Sequence, residues 1–80
     1  ELRHELDDVA AALRTLTAEQ RETIALRFFG GLSAREAAEA MGKQEGTIRG
    51  LQFRAIAALR RALGIPGPPA EPRDEEHEQG

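Results

Sequence analysis

The stretch SAREAAEAMGKQEGTIRGLQFRAIAALRRAL, residues 33–63, decides the fold. Two helix starts bracket a single glycine, Gly42, and the part after it carries Lys43, Arg49, Arg54, Arg60 and Arg61 against Glu45 alone. Ser33 and Glu36 form an S-x-x-E capping pair, so a short helix is expected to start there with Ala37, Ala38 and Met41 inward. The two alanines permit a neighbouring helix to come close. Gly42 lacks the Cβ that makes left-handed backbone costly, and it suits the end of that helix. A further helix is expected from about Gln44 to Leu63, where Gly64 and Pro66 end it. Helix, sharp turn and basic helix make a helix-turn-helix able to face phosphate.

Upstream, Leu2, Leu6, Val9, Leu13 and Leu16 recur at alternating spacings of four and three, which puts them on one face of a first helix. Thr17 ends it and, with Gln20, forms a second capping pair, so the next helix is expected from Ala18. Gly30 and Gly31 stop that helix. Ile24 and Phe28 lie on one side of it, Leu26 nearly opposite and Phe29 between, so it is apolar over much of its circumference. Such a helix is expected to pack in the middle. The expected fold is therefore all-α: a four-helix domain over residues 1–65 that contains the helix-turn-helix. Residues 66–80, GPPAEPRDEEHEQG after Pro66, have no aliphatic periodicity and are expected to form a disordered acidic tail.

The 80 residues carry a net charge of −3, unevenly distributed. Glu71, Asp74, Glu75, Glu76 and Glu78 stand against Arg73 alone in the tail, whereas the segment after Gly42 is basic. Polarised charge reports on partners more than on fold. The absence of cysteine rules out disulfides and thiolate metal sites, and His4 and His77 are too distant in context to suggest a metal. No apolar run approaches the ~20 residues that span a bilayer, and no signal-peptide pattern opens the chain. A cytoplasmic binding module without cofactor or membrane partner is expected. Glu36 and Glu39 lie three apart on a helix, but no histidine or phosphate-cradling loop accompanies them, so no enzyme is expected. The chain opens at Glu1 already within a helical pattern, as expected of a piece of a longer protein.

On a wheel of about 100° per residue centred on Ile48, Ala55, Leu59 and Ala62 fall within roughly 40°, with Leu51 and Leu63 to either side. These are the expected core. Arg49, Gly50, Phe53, Arg54, Arg60 and Arg61 occupy the far arc, roughly 100° or more away. Gln52 falls near the core direction, which demands a buried partner or a small rotation of the helix. An aromatic opposite the core, flanked by arginines, suits a docking surface. Duplex DNA accounts for each piece: arginine pairs with guanine edges, an apolar ring meets a thymine methyl, and glycine lets the backbone approach the groove. Lys43, Arg60 and Arg61 extend the basic surface toward phosphate.

The stretch from Leu16 to Leu63 resembles region four of bacterial sigma factors, specifically the extracytoplasmic-function group. The matching motifs are L-T-x-E-Q-R at Leu16 to Arg21, L-R-F-F-G-G-L-S at Leu26 to Ser33, E-A-A at Glu36 to Ala38, G-T-I-R at Gly46 to Arg49 and F-R-A at Phe53 to Ala55. The resemblance implies a domain that recognises the minus-35 element of promoter DNA and contacts the β-subunit flap of RNA polymerase, in association with the nucleoid. It places Arg49, Gly50, Phe53 and Arg54 at bases in the major groove, and Ser33, Arg35 and Thr47 near phosphates. Helix N-termini favour such anions. The family commonly has serine at the position of Gly50, a basic then an aliphatic residue at Leu51 and Gln52, and proline at Gln44, so the promoter sequence does not transfer.

Two other functions fit parts of the pattern. The output domain of a quorum-sensing or response regulator shares the spacing up to Thr47, but the acidic first helix and the run F-R-A-I-A-A-L-R-R-A-L resemble the sigma domain more closely. A protein-interaction module bound by an anti-sigma factor is the alternative from a different class. That partner would compete for the arc around Phe53 and Arg54.

Overall fold

The computed structural model describes residues 2–66, and the acidic tail lies outside them. The described residues form four helices: α1 (Leu2–Arg14), α2 (Ala18–Ile24), α3 (Ala34–Met41) and α4 (Glu45–Leu63). A π-helical turn, Ala25–Phe29, extends α2.

Both expected capping boxes are formed. The Thr17 hydroxyl accepts from the Gln20 amide and the Gln20 side chain accepts from the Thr17 amide, each at 3.1 Å. Ser33 and Glu36 repeat the exchange at 3.0 and 2.8 Å. Each box satisfies two donors that the first helical turn leaves without intrahelical partners. Arg21 does the complementary work at the end of α1, where its Nη1 donates to the carbonyls of Leu13 and Leu16 at 3.3 and 3.0 Å.

Helix α4 packs against α1, α2 and α3 and divides the core in two. One cluster joins Ala34, Ala37 and Ala38 to Ile48 and Leu51, with Leu26, Leu32 and Met41 against it. The other joins Leu16, Ile24 and Ala55, with Leu13, Ile56, Ala58 and Leu59 around them. Ala37 and Ala55 are fully buried, so the backbones meet closely where sequence offers only a methyl group. Thr23, also fully buried, donates its hydroxyl hydrogen to the Glu19 carbonyl at 2.8 Å.

Three expectations about burial need correction. Among the described residues, the apolar stripe of α1 is covered at its C-terminal end, by Leu13 and Leu16 in the core, while Leu6 and Val9 are 58% and 45% exposed. Phe28 does not follow Ile24 into the core. The π-turn widens the backbone, closes on Gly30 N–H to Ala25 O at 2.8 Å, and leaves Phe28 and Phe29 56% and 81% exposed. Ala62 and Leu63, expected in the core, are likewise exposed at the C-terminal end of α4.

Candidate nucleic-acid interface

The turn between α3 and α4 sets the interface. Gly42 takes the left-handed conformation at φ 67°, and the Lys43 amide donates back to the Ala38 carbonyl at 2.9 Å, a Schellman closure. Only Lys43 and Gln44 separate Gly42 from the first residue of α4, so the two helices leave the turn at a fixed angle. Gln44 stands at the N-cap in extended conformation and its side chain makes no capping bond.

With Ile48, Leu51 and Ala55 buried, the opposite arc of α4 faces outward. Arg54 is exposed, and Arg49, Gly50 and Phe53 are half-buried. Arg49 is engaged: its Nη2 donates to Glu45 Oε2 at 2.6 Å, one helical turn back. Arg54 leans toward the start of the helix, with Nη1 3.2 Å from where a Cβ on Gly50 would sit. Phe53 is not a fully projecting ring. It lines a groove of about 410 Å³ with Thr15, Thr17 and Gln20 at the α1–α2 corner, bordered by Arg54 and Arg61.

The residues assigned to phosphate divide into two groups. Ser33, Arg35 and Thr47 are exposed at the starts of α3 and α4, with the Ser33 hydroxyl already serving as cap. Lys43 lies at the turn, where its Nζ pairs with Glu19 Oε2 at 2.7 Å. Arg60 and Arg61 stand at the far end of α4. Arg60 Nη2 donates to the Pro66 carbonyl at 3.1 Å, while Arg61 is exposed. The fold thus places Arg35, Lys43, Thr47, Arg49 and Gly50 toward the turn, Arg54 about one helical turn beyond Gly50, and Arg60 and Arg61 just under two turns beyond Arg54 on the same helix.

Gln52 has the partner that its position demanded, in a part-buried setting. Its Oε1 accepts from Arg27 Nε at 2.8 Å, and Arg27 Nη1 donates to the Leu32 carbonyl at 2.9 Å. This bridge ties the π-turn to the middle of α4 and fixes the helix's rotation. Two acidic partners also emerge, Glu45 on Arg49 and Glu19 on Lys43. The first is legible as an i, i+4 spacing. The second joins elements distant in sequence and has no local signal.

Among the described residues, no helix is long and apolar enough to cross a membrane and no acidic, histidine or cysteine cluster is arranged to hold a metal ion.

Comparison with known proteins places these features in a family. Residues 12–61 match the family described as Sigma-70, region 4. The ECF RNA polymerase sigma factor BldN of Streptomyces coelicolor is 50% identical over 52 residues, covering 65% of this chain and 20% of that protein. The ECF RNA polymerase sigma factor SigD of Mycobacterium bovis is 46% identical over 48 residues, covering 60% of this chain and 23% of its own length. The chain therefore spans about a fifth of these curated relatives. Among solved structures, an RsbN–BldN complex contains a chain that superposes with a TM-score of 0.68 at 44% identity, over 78% of this chain and 45% of that one.

Proposed function

The chain belongs to the Sigma-70, region 4 family, in the form found in ECF sigma factors, and on that premise we propose that it is a promoter-reading domain that acts in transcription initiation. Helix α4 enters the major groove of the minus-35 element. Arg49, Gly50, Phe53 and Arg54 address base edges, and Ser33, Arg35, Lys43 and Thr47 address the flanking phosphates. Arg60 and Arg61 add phosphate contacts or long-range attraction from the far end of α4.

The observation that carries this reading is the exposure of Arg54, with Arg49, Gly50 and Phe53 half-buried beside it, on the arc of α4 opposite the buried Ile48, Leu51 and Ala55. The glycine turn sets α4 directly after α3, the arrangement in which a second helix enters a major groove. All the named relatives are sigma factors, which favours this reading over a regulator's output domain.

Two apolar surfaces, Leu6 with Val9 and Phe28 with Phe29, are suited to protein partners. RNA polymerase, through its β-subunit flap, is the partner required by a sigma domain. The superposition on a chain from an RsbN–BldN complex supports a second kind of partner, a regulatory protein such as an anti-sigma factor. The domain works by binding and not by catalysis, over residues 1–65, in the cytoplasm with the nucleoid.

Alanine substitution separates the two classes of contact. Arg49→Ala and Arg54→Ala should relax sequence preference, whereas Arg35→Ala should weaken binding to all duplexes alike and lower the salt slope by about one. Loss of preference in Arg35→Ala but not in Arg54→Ala would reverse the assignment.

A further inference from the structure

The groove between the α1–α2 corner and α4 extends beyond the helix-turn-helix. Thr15, Thr17 and Gln20 form one wall, Phe53, Arg54 and Arg61 the other, and among the described residues no carboxylate lines it. Both arginines are exposed. Seven residues of helix separate them, a rise of about 10 Å along one face. Long side chains on a helix lean the same way, toward its N-terminus, so an anion suited to both guanidinium groups carries two charges offset by about that rise. In a polyproline II segment, which brings every third residue back to one side, that is the spacing of residues three apart, at about 3.1 Å each.

The chain's own C-terminal segment has that pattern twice, in Glu71 with Asp74 and in Glu75 with Glu78. Its point of departure is also favourable. Gly64 at φ 74° reverses the backbone, the Ile65 amide donates to the Arg60 carbonyl at 2.9 Å, and Arg60 Nη2 holds the Pro66 carbonyl at 3.1 Å. The chain thus leaves α4 beside Arg60, next in sequence to Arg61. Five residues from Pro66 to Glu71 span up to about 17 Å, enough to reach Arg61, and Asp74 then has the length to reach Arg54. Tethering supplies an effective concentration in the millimolar range, which populates ion pairs too weak to hold a free peptide.

We propose that the acidic segment, residues 71–78, docks on this groove against Arg61 and Arg54 and competes with DNA for Arg54. The docking stands by itself; the competition rests on the DNA-binding function proposed above. Salt should release the segment, since the pairs are exposed and the Debye length shortens from about 10 Å at 0.1 M to about 3 Å at 1 M.

The test compares the full chain with a variant in which Glu71, Asp74, Glu75, Glu76 and Glu78 are replaced by their amides. All five positions lie outside the described residues. In ¹⁵N-labelled protein at low salt, the two spectra should differ at the backbone amides of Thr15, Gln20, Ala57 and Ala58 and at the Nε–H signals of Arg54 and Arg61. The difference should vanish at high salt. Spectra that differ only within residues 66–80 would overturn the docking. Anisotropy on a duplex should show the variant binding severalfold more tightly at low salt. A gain without the groove shifts would be a long-range charge effect and would overturn the proposal, while groove shifts with equal DNA affinity would overturn the competition. If neither chain binds a duplex, the DNA function fails, and the spectra still decide the docking.

Discussion

The guanidinium of Arg54 lies over Gly50: a Cβ added at Gly50 would meet Nη1 at 3.2 Å and Nη2 at 3.5 Å. Long side chains on a helix lean toward its N-terminus, and here the missing side chain one turn earlier leaves the space to do so. Arg54 is thereby directed toward the turn of the helix-turn-helix, the end of α4 proposed to enter the groove. The glycine found where the family commonly has serine thus shapes the position of a neighbouring arginine.

Gly50→Ala is expected to make the fold more stable and its DNA binding less selective. Glycine inside a helix costs about 0.5–1 kcal/mol relative to alanine. The new methyl group meets only the far end of a flexible side chain, so little of that gain is lost to strain. Urea unfolding should show up to about 1 kcal/mol of added stability. Preference among duplexes should fall as Arg54 is displaced.

Glu19→Gln should leave stability nearly unchanged and tighten DNA binding. The pair with Lys43 is 2.7 Å long, but the Glu19 side chain is 58% exposed, and such pairs contribute less than about 1 kcal/mol. Without its carboxylate partner, Lys43 is available to phosphate at the turn. Affinity for any duplex should rise about twofold or more at low salt and converge on wild type as salt screens the charge. Lys43→Gln should abolish this gain, which a titration series of the single and double variants would reveal.

Gln52→Ala should cost about 1–2 kcal/mol in chemical unfolding, because it removes a part-buried hydrogen bond from a charged donor. The Arg27→Ala variant also loses the bond to the Leu32 carbonyl, so its cost should be larger. A double-mutant cycle should return a coupling of at least about 0.5 kcal/mol. Additive costs would mean that the bridge does not hold π-turn and α4 together.

Thr17→Ala and Ser33→Ala should each lower stability by about 1 kcal/mol, since each removes the acceptor for an N3 amide. Their effects on DNA should differ. Ser33 begins the helix proposed to approach phosphate, so its loss should weaken DNA binding beyond what unfolding explains. Circular dichroism melting paired with anisotropy at a temperature where both variants are folded separates the two effects.

Local chemistry was readable from sequence wherever a rule acts within a few residues. The boxes at Thr17–Gln20 and Ser33–Glu36, the left-handed Gly42 and the stop at Gly64 all stand as the side chains dictate. The wheel also found Ile48, Leu51 and Ala55 inside and Arg54 outside. What sequence could not convey was which part of an apolar face is covered. Leu6 and Val9 keep perfect apolar spacing, yet among the described residues they stay largely exposed, because periodicity marks a face and not its cover. The π-turn was hidden for a related reason: a wheel drawn at 100° per residue assumes the backbone that Ala25–Phe29 abandons. Gln52 shows the intermediate case, its inward direction legible and its partner, Arg27, found only through tertiary packing.

The most direct test of promoter reading by α4 is fluorescence anisotropy on duplexes with randomised hexamers, at two salt concentrations, for wild type and Arg54→Ala. Wild type should enrich one hexamer and Arg54→Ala should lose that enrichment while retaining salt-sensitive binding. Uniform weak binding that the substitution leaves unchanged would contradict base readout by Arg54 and leave protein partners as the principal ligands of this domain.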